Sequence, residues 1–159
     1  MPTTPSNWWK KVKLGEVVEI KKRSFNPKNW ENIKYIWIEH IEQWTLVLIW
    51  YWYSNETTSM KTYFSKWDIL FGKIRPYFSK VVKAHFDWVC STEIFVLHST
   101  EWVYNDFIFY YLANLDFIDK VTKSCWWVDR PIAKWEVIKE FEILLPSLPI
   151  QQKITSIKK

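Results

Sequence analysis

The apolar pattern of the chain predicts a mixed α+β domain. It combines a compact, twisted, barrel-like β-sheet with a few helices and ends in the first turns of a coiled-coil helix. Three observations carry that prediction. Short apolar runs of strand length recur between residues 12 and 97, separated by polar breaks. Between residues 105 and 123 the spacing shifts to threes and fours, the period of a helix with one buried face. After Pro149, Ile150, Ile154 and Ile157 recur at four and three with Gln and Lys between them.

In chain order, residues 12–20 read as a strand broken at Gly15. The basic cluster Lys21, Lys22, Arg23 then opens a loop through Asn26-Pro27. Residues 35–38 and 46–49 are expected as short strands, and 54–61 as a polar, Thr-rich loop. Three further strands are expected at 69–71, 81–82 and 94–97. Asn105 can cap a helix over 106–114, and Asp116 another over 117–123, where Phe117 and Val121 pair at i, i+4. A short helix over 133–139 and a strand over 141–145 follow, and Pro146 and Pro149 stop the fold. The terminal helix is too short to be stable alone and needs a partner or a continuation. A boundary is therefore set at 145/146.

The composition is unusual. There are 13 Trp and 2 Gly in 159 residues, where ordinary usage gives Gly about 7%, or about 11 residues. The indoles stand where turn chemistry is expected: Trp44, Trp50 and Trp52, Trp67 before Asp68, Trp88 after Asp87, and Trp126-Trp127. Glycine suits such points because it reaches positive φ without steric cost. The pattern predicts that most of these codons, as UGA, are read as glycine in the source organism. Trp9 and Trp135 lie within amphipathic segments and read as authentic, with Trp30 undecided. The rival account is a Trp-rich surface for sugars or unpaired bases, but the rings follow no single face or period.

The formal charge is +5, which makes nucleic acid a reasonable partner and an acidic substrate a second one. No apolar window approaches 18 residues and no signal-peptide core is present, so a cytoplasmic protein is expected. Cys90 and Cys125 stand apart, which predicts two reduced, buried thiols. His40, His85 and His98 are widely separated, and the one Glu-x-Lys, Glu19-Ile20-Lys21, has no upstream Asp. Asn26-Pro27-Lys28 lacks the second Pro and the ring of an Asn-Pro-Pro-aromatic motif. Hence neither catalysis, nor a cofactor, nor a metal is expected. The most informative segment is 68–97, DILFGKIRPYFSKVVKAHFDWVCSTEIFVL. Gly72 ends an apolar run, Lys73, Arg75 and Lys80 follow on a turn stiffened by Pro76, and Tyr77 and Phe78 supply flat faces. Cations fixed on a tight turn between strands suit a polyanion.

Four segments give the chain a family resemblance. They are WKKVKLGEVVEI from Trp9, YIWIEHIEQW from Tyr35, the segment 68–97, and FEILLPSLPIQQKI from Phe141. Over nearly its whole length the chain resembles a target recognition domain of the DNA specificity subunit of type I restriction–modification systems. That family has glycine where Trp37, Trp44, Trp67 and Trp88 stand, in line with the recoding expectation. The resemblance implies a non-catalytic reader of double-stranded DNA, in residues 1–145, and the start of a helical spacer in 146–159. It further implies docking to a methyltransferase subunit and a nuclease/translocase subunit. A second recognition domain or a second copy would complete the site, with Ile150, Ile154 and Ile157 as the pairing stripe. The alternative reading is a non-catalytic protein-interaction module that uses an aromatic surface and the terminal helix.

Three groups are the expected DNA contacts. The first is Lys73, Arg75, Tyr77 and Lys80, with Arg75 on guanine or phosphate and the lysines on phosphate. The second is Asn55, Thr57, Thr58 and Lys61 in the polar loop. The third is Asp129-Arg130-Pro131, where the family tends toward a Pro-Arg step. Ile132 follows the proline here, so the cation is either missing or carried by Arg130 or Lys134.

Overall fold

The structure is a computed structural model and describes residues 9–28, 32–125 and 129–158. Trp8, Trp30, Trp126 and Trp127 lie outside the described residues. Strand β1 (Trp9–Lys13) runs antiparallel to β11 (Glu142–Pro146), with Lys13 opposite Glu142. One helical turn, α1 (Leu14–Val17), then interrupts the strand expected over 12–20, and β2 (Val18–Lys21) resumes it. The interruption has a cause remote in sequence. The amides of Leu14 and Gly15 donate to the carbonyls of Phe141 and Lys139. A Cβ at position 15 would stand 3.0 Å from that of Lys139 and 3.2 Å from its carbonyl oxygen, so any larger residue would have to push Lys139 back.

Strand β2 joins β7 (Ile69–Gly72), β8 (Val81–Lys83) and β10 (Ile94–Ser99) in an antiparallel sheet of order β2-β10-β7-β8. A second sheet has the order β3-β6-β9-β4-β5. Its strands are β3 (Ser24–Phe25), β4 (Lys34–Ile36), β5 (Trp52–Tyr53), β6 (Lys61–Phe64) and β9 (Trp88–Ser91). Only the β4–β9 pair in it is parallel. Helices α2 (Asn105–Leu112), α3 (Leu115–Ser124) and α4 (Trp135–Ile138) follow, and α5 (Leu148–Lys158) ends the described chain.

The four-stranded sheet is the middle layer. Ile69, Phe71, Val81, Phe95 and Leu97 pack with Ile108, Leu112, Phe117 and Val121 of the helices. The alternate residues Leu70, Val82, Ile94 and Val96 pack with Ile36, Ile38, Phe64 and Cys90 of the second sheet and its loops. Burial on both faces is why 69–71 and 94–97 read as unbroken apolar runs. Each such side chain contributes about 1.5–3 kcal/mol relative to exposure.

Several expectations are corrected. Residues 46–49 form no strand: Ile41 and Leu48 make an isolated bridge, and Leu46 adopts φ 61°, which ends extension. The 54–61 loop begins with a 3-10 turn (Ser54–Glu56), and its last residue, Lys61, already belongs to β6. Asn105 does not cap α2 but lies in its first turn, accepting from the Ser99 amide and donating to the Trp67 carbonyl. Asn114, not Asp116, caps α3 by accepting from the Asp116 amide. α4 is shorter than expected because Ile132 bridges Ile74 and the Ala133 amide donates to the Lys73 carbonyl, holding that segment extended.

The terminal helix starts one residue before Pro149, which its first turn tolerates. Its buried residues are Gln151 and Thr155 rather than the isoleucines. Ile150 and Ile154 are half-buried, and Ile157 is 77% exposed. The two thiols are free, with Cys90 buried and Cys125 partly so. Among the described residues no helix is long and apolar enough to cross a membrane.

Candidate nucleic-acid interface

The turn between β7 and β8 is clamped from three directions. Its ends meet where the Gly72 amide donates to the Lys80 carbonyl, and the Lys73 amide donates to the Glu93 carbonyl. The Arg75 amide donates to the Pro131 carbonyl at 2.8 Å, so segment 129–133 packs alongside. Arg75 itself holds a left-handed conformation (φ 47°) and starts the 3-10 turn Pro76–Phe78. A clamped left-handed residue at the apex presents its side chain outward, and Arg75 is exposed. Its guanidinium has no side-chain partner among the described residues.

The lysines beside it behave differently. Lys80 donates from Nζ to the Ile38 carbonyl at 3.0 Å, and burial pushes its pKa down. Lys73 lays its ammonium over the Phe95 ring, 4.8 Å from the centroid. Burial, and then the neighbouring Lys22 cation, lower its pKa. Both are more fastenings for the turn than free phosphate ligands. Tyr77 packs edge-on against Phe78 at 4.8 Å and is half-buried.

Lys61 is also drawn inward. It is 4% exposed, and its Nζ donates to Thr57 Oγ1 at 3.1 Å, to the Ser59 carbonyl at 2.9 Å and to Ser59 Oγ. It lies over the Tyr35 ring at 5.2 Å, and burial pushes its pKa down. Lys61 and Thr57 therefore brace the loop, whereas Asn55 and Thr58 are exposed on it. Arg130 and Lys134 are exposed on the third segment.

Sequence reasoning missed the residue where these groups meet. Glu93 occupies the β9–β10 turn, with its amide donating to Ser91 Oγ at 3.1 Å. One carboxylate oxygen accepts from Arg130 at 3.2 Å and the other from the Trp37 indole at 3.2 Å. With Tyr35, Trp37, Thr57, Ser59, Lys61, Ser91 and Thr92 it lines a concavity of about 220 Å³. Glu93 thus links the Arg75 turn, the Arg130 segment and the polar loop. A lone Glu in a strand turn carries no local signal of that position. Lys22, exposed and close enough to act on Lys73, was also passed over, although its basic cluster was visible.

The sequence pattern of the type I restriction modification DNA specificity domain matches residues 6–158. The chain belongs to that family. A curated relative is the type I restriction enzyme EcoDI specificity subunit of Escherichia coli, 29% identical over 157 residues. That match covers 97% of this chain but 34% of the subunit, so the chain spans about a third of its relative. The HsdS subunit from Thermoanaerobacter tengcongensis superposes with a TM-score of 0.80 at 20% identity, over 99% of this chain and 42% of that one. A chain from a study of type I R-M complex assembly gives 0.84 at 18% identity, over 99% and 43%. The type I restriction-modification S subunit from M. genitalium gives 0.62 at 15% identity, over 98% and 40%. At these identities the structural likeness shows that the DNA specificity domain shares their fold, a mixed α/β architecture of sheets with a few helices.

Proposed function

We propose that the chain reads double-stranded DNA by sequence, as a specificity subunit or half-subunit of a type I restriction–modification system. The observation that carries this is Arg75, an exposed, unengaged guanidinium at the apex of a turn clamped by the β9–β10 turn and by segment 129–133. Because its backbone is already ordered, contact costs mainly side-chain entropy, and the guanidinium can meet guanine or phosphate in a fork geometry. Lys22, Arg130 and Lys134 extend the positive charge, and Asn55, Thr58 and Tyr77 offer further contacts. Residues 1–145 would form the recognition domain, and 146–159 would open the spacer. The stripe of Ile150 and Ile154, half-buried, and Ile157, exposed, would pair with a second recognition half or a second copy. The methyltransferase subunit and the nuclease/translocase subunit are the partners this role requires.

The test is binding to duplex DNA across a salt series, followed by selection of a preferred site, with the methyltransferase subunit present. Arg75→Ala should weaken the selected site by about 1–3 kcal/mol if the guanidinium reads a base. Equal loss on every duplex would assign it to phosphate. Absence of salt-sensitive affinity in the wild type would remove the proposal.

A further inference from the structure

We propose that Glu93 is a specificity-determining residue that accepts a hydrogen bond from an exocyclic amino group of a base, cytosine or adenine. This rests on the DNA-reading function. The carboxylate sits on a turn fixed at its amide by Ser91 and at its carbonyl by the Lys73 amide, so its position is coupled to the Arg75 turn. Around it lies a polar concavity whose own cation is already satisfied, since Lys61 donates to Thr57 and Ser59. The strong acceptor there is Glu93, whose carboxylate keeps lone pairs beyond those taken by Arg130 and Trp37. An ionised carboxylate can only accept, and the major-groove groups that donate are the amino groups of cytosine and adenine.

Arg130 completes the device. Its pairing with Glu93 spans 3.2 Å with the arginine 60% exposed, which makes it a weak, solvent-screened ion pair. A DNA phosphate competes for the guanidinium, and its departure frees the carboxylate. On a wrong sequence the unmasked charge meets a base acceptor or the backbone and repels it. Glu93 therefore discriminates by repulsion as well as by attraction. With glycine at position 37 the carboxylate loses the indole donor and keeps both Arg130 and its anchored turn.

The experiment compares the whole chain with Glu93→Ala and Glu93→Gln on the selected duplex and on duplexes altered one base pair at a time. Wild type should demand C or A at one position, and which base it demands identifies the amino group. Glu93→Ala should lose about 5- to 150-fold on the selected site, hold or gain affinity on unrelated duplexes, and become indifferent at that one position. Glu93→Gln, which keeps one acceptor oxygen, should retain part of the preference and shows that the loop is intact. If Glu93→Ala keeps the wild-type base preference, Glu93 is no reader, while DNA reading itself stands. If the wild type selects no site, both fall.

A separate observation carries a second inference: we infer that positions 44 and 67 are glycine in the functional protein. Trp44 and Trp67 hold φ 68° and 77°, in the left-handed region that bulky side chains avoid. Both are exposed and both sit in tight turns, the Trp67 amide donating to the Ala84 carbonyl. Trp50 and Trp102, 63% and 78% exposed, place further indoles in water. Trp135, by contrast, is half-buried and packs beside Phe95 against the main core, as an authentic tryptophan should. Peptide mass spectrometry of protein from its source should give glycine at 44 and 67 and tryptophan at 135. Tryptophan at both turns would overturn the inference.

Discussion

Asp68 shows what a single side chain does for the fold. Its carboxylate is fully buried and accepts from Lys21 at 2.7 Å, from the Ser65 amide at 2.8 Å, and meets His98 Nδ1 at 2.9 Å. Burial alone would raise its pKa, but the hydrogen bonds from His98, Lys21 and Ser65 outweigh it and hold the carboxyl below its ordinary 3.8. A depressed folded-state pKa contributes stability that is complete above the unfolded value and lost as pH falls through the folded one. Asp68→Ala should cost about 3 kcal/mol in urea unfolding near neutral pH, since both partners are half-exposed and can rehydrate. The penalty should shrink as pH drops below the ordinary carboxylate range; a pH-independent penalty would mean packing rather than charge. Nothing around Asp68 in sequence announces this. The cationic turn, by contrast, was visible from Lys73, Arg75 and Lys80, yet which cation stays free was not. Lys80 is claimed by the Ile38 carbonyl and Lys73 by the Phe95 ring, partners supplied by segments distant in sequence.

Helix α5 shows the same division at the level of an element. Its existence follows from the spacing of Ile150, Ile154 and Ile157, but its buried stripe is Gln151 and Thr155. Gln151 Oε1 accepts from the Tyr104 amide at 2.9 Å and Nε2 donates to the Pro146 carbonyl at 2.7 Å. A buried Gln that closes two backbone groups is a pin between helix and domain, and periodicity counts it as an outward polar residue. Gln151→Ala would leave that amide and carbonyl unpaired and should cost about 2–3 kcal/mol locally. Hydrogen exchange should then quicken across 148–158 and at Tyr104 while the sheets stay protected. Ile157→Ser is the control, expected to leave that exchange unchanged in the monomer. In strands β7 and β10 the apolar runs were legible as runs. That each feeds two cores on opposite faces required the second sheet to be in place.

At the level of the whole molecule, three surface segments far apart in sequence come together around one turn. The Arg75 turn, the Arg130 segment and the 54–61 loop converge on Glu93, itself 37 residues from Arg130 in the chain. Arg75→Ala accordingly probes the assembled surface: loss of a phosphate contact should lower the salt slope by about one, whereas loss of a base contact should leave the slope in place. The α+β class, the family segments and the presence of a cationic turn were determined by the sequence alone, because periodicity and turn chemistry reside in neighbouring residues. The tertiary structure alone decided which cations are spent on internal acceptors, which face of α5 is buried, and that a carboxylate stands among the basic groups. Those outcomes depend on desolvation and on hydrogen-bond partners brought from segments distant in sequence, which only the folded arrangement supplies.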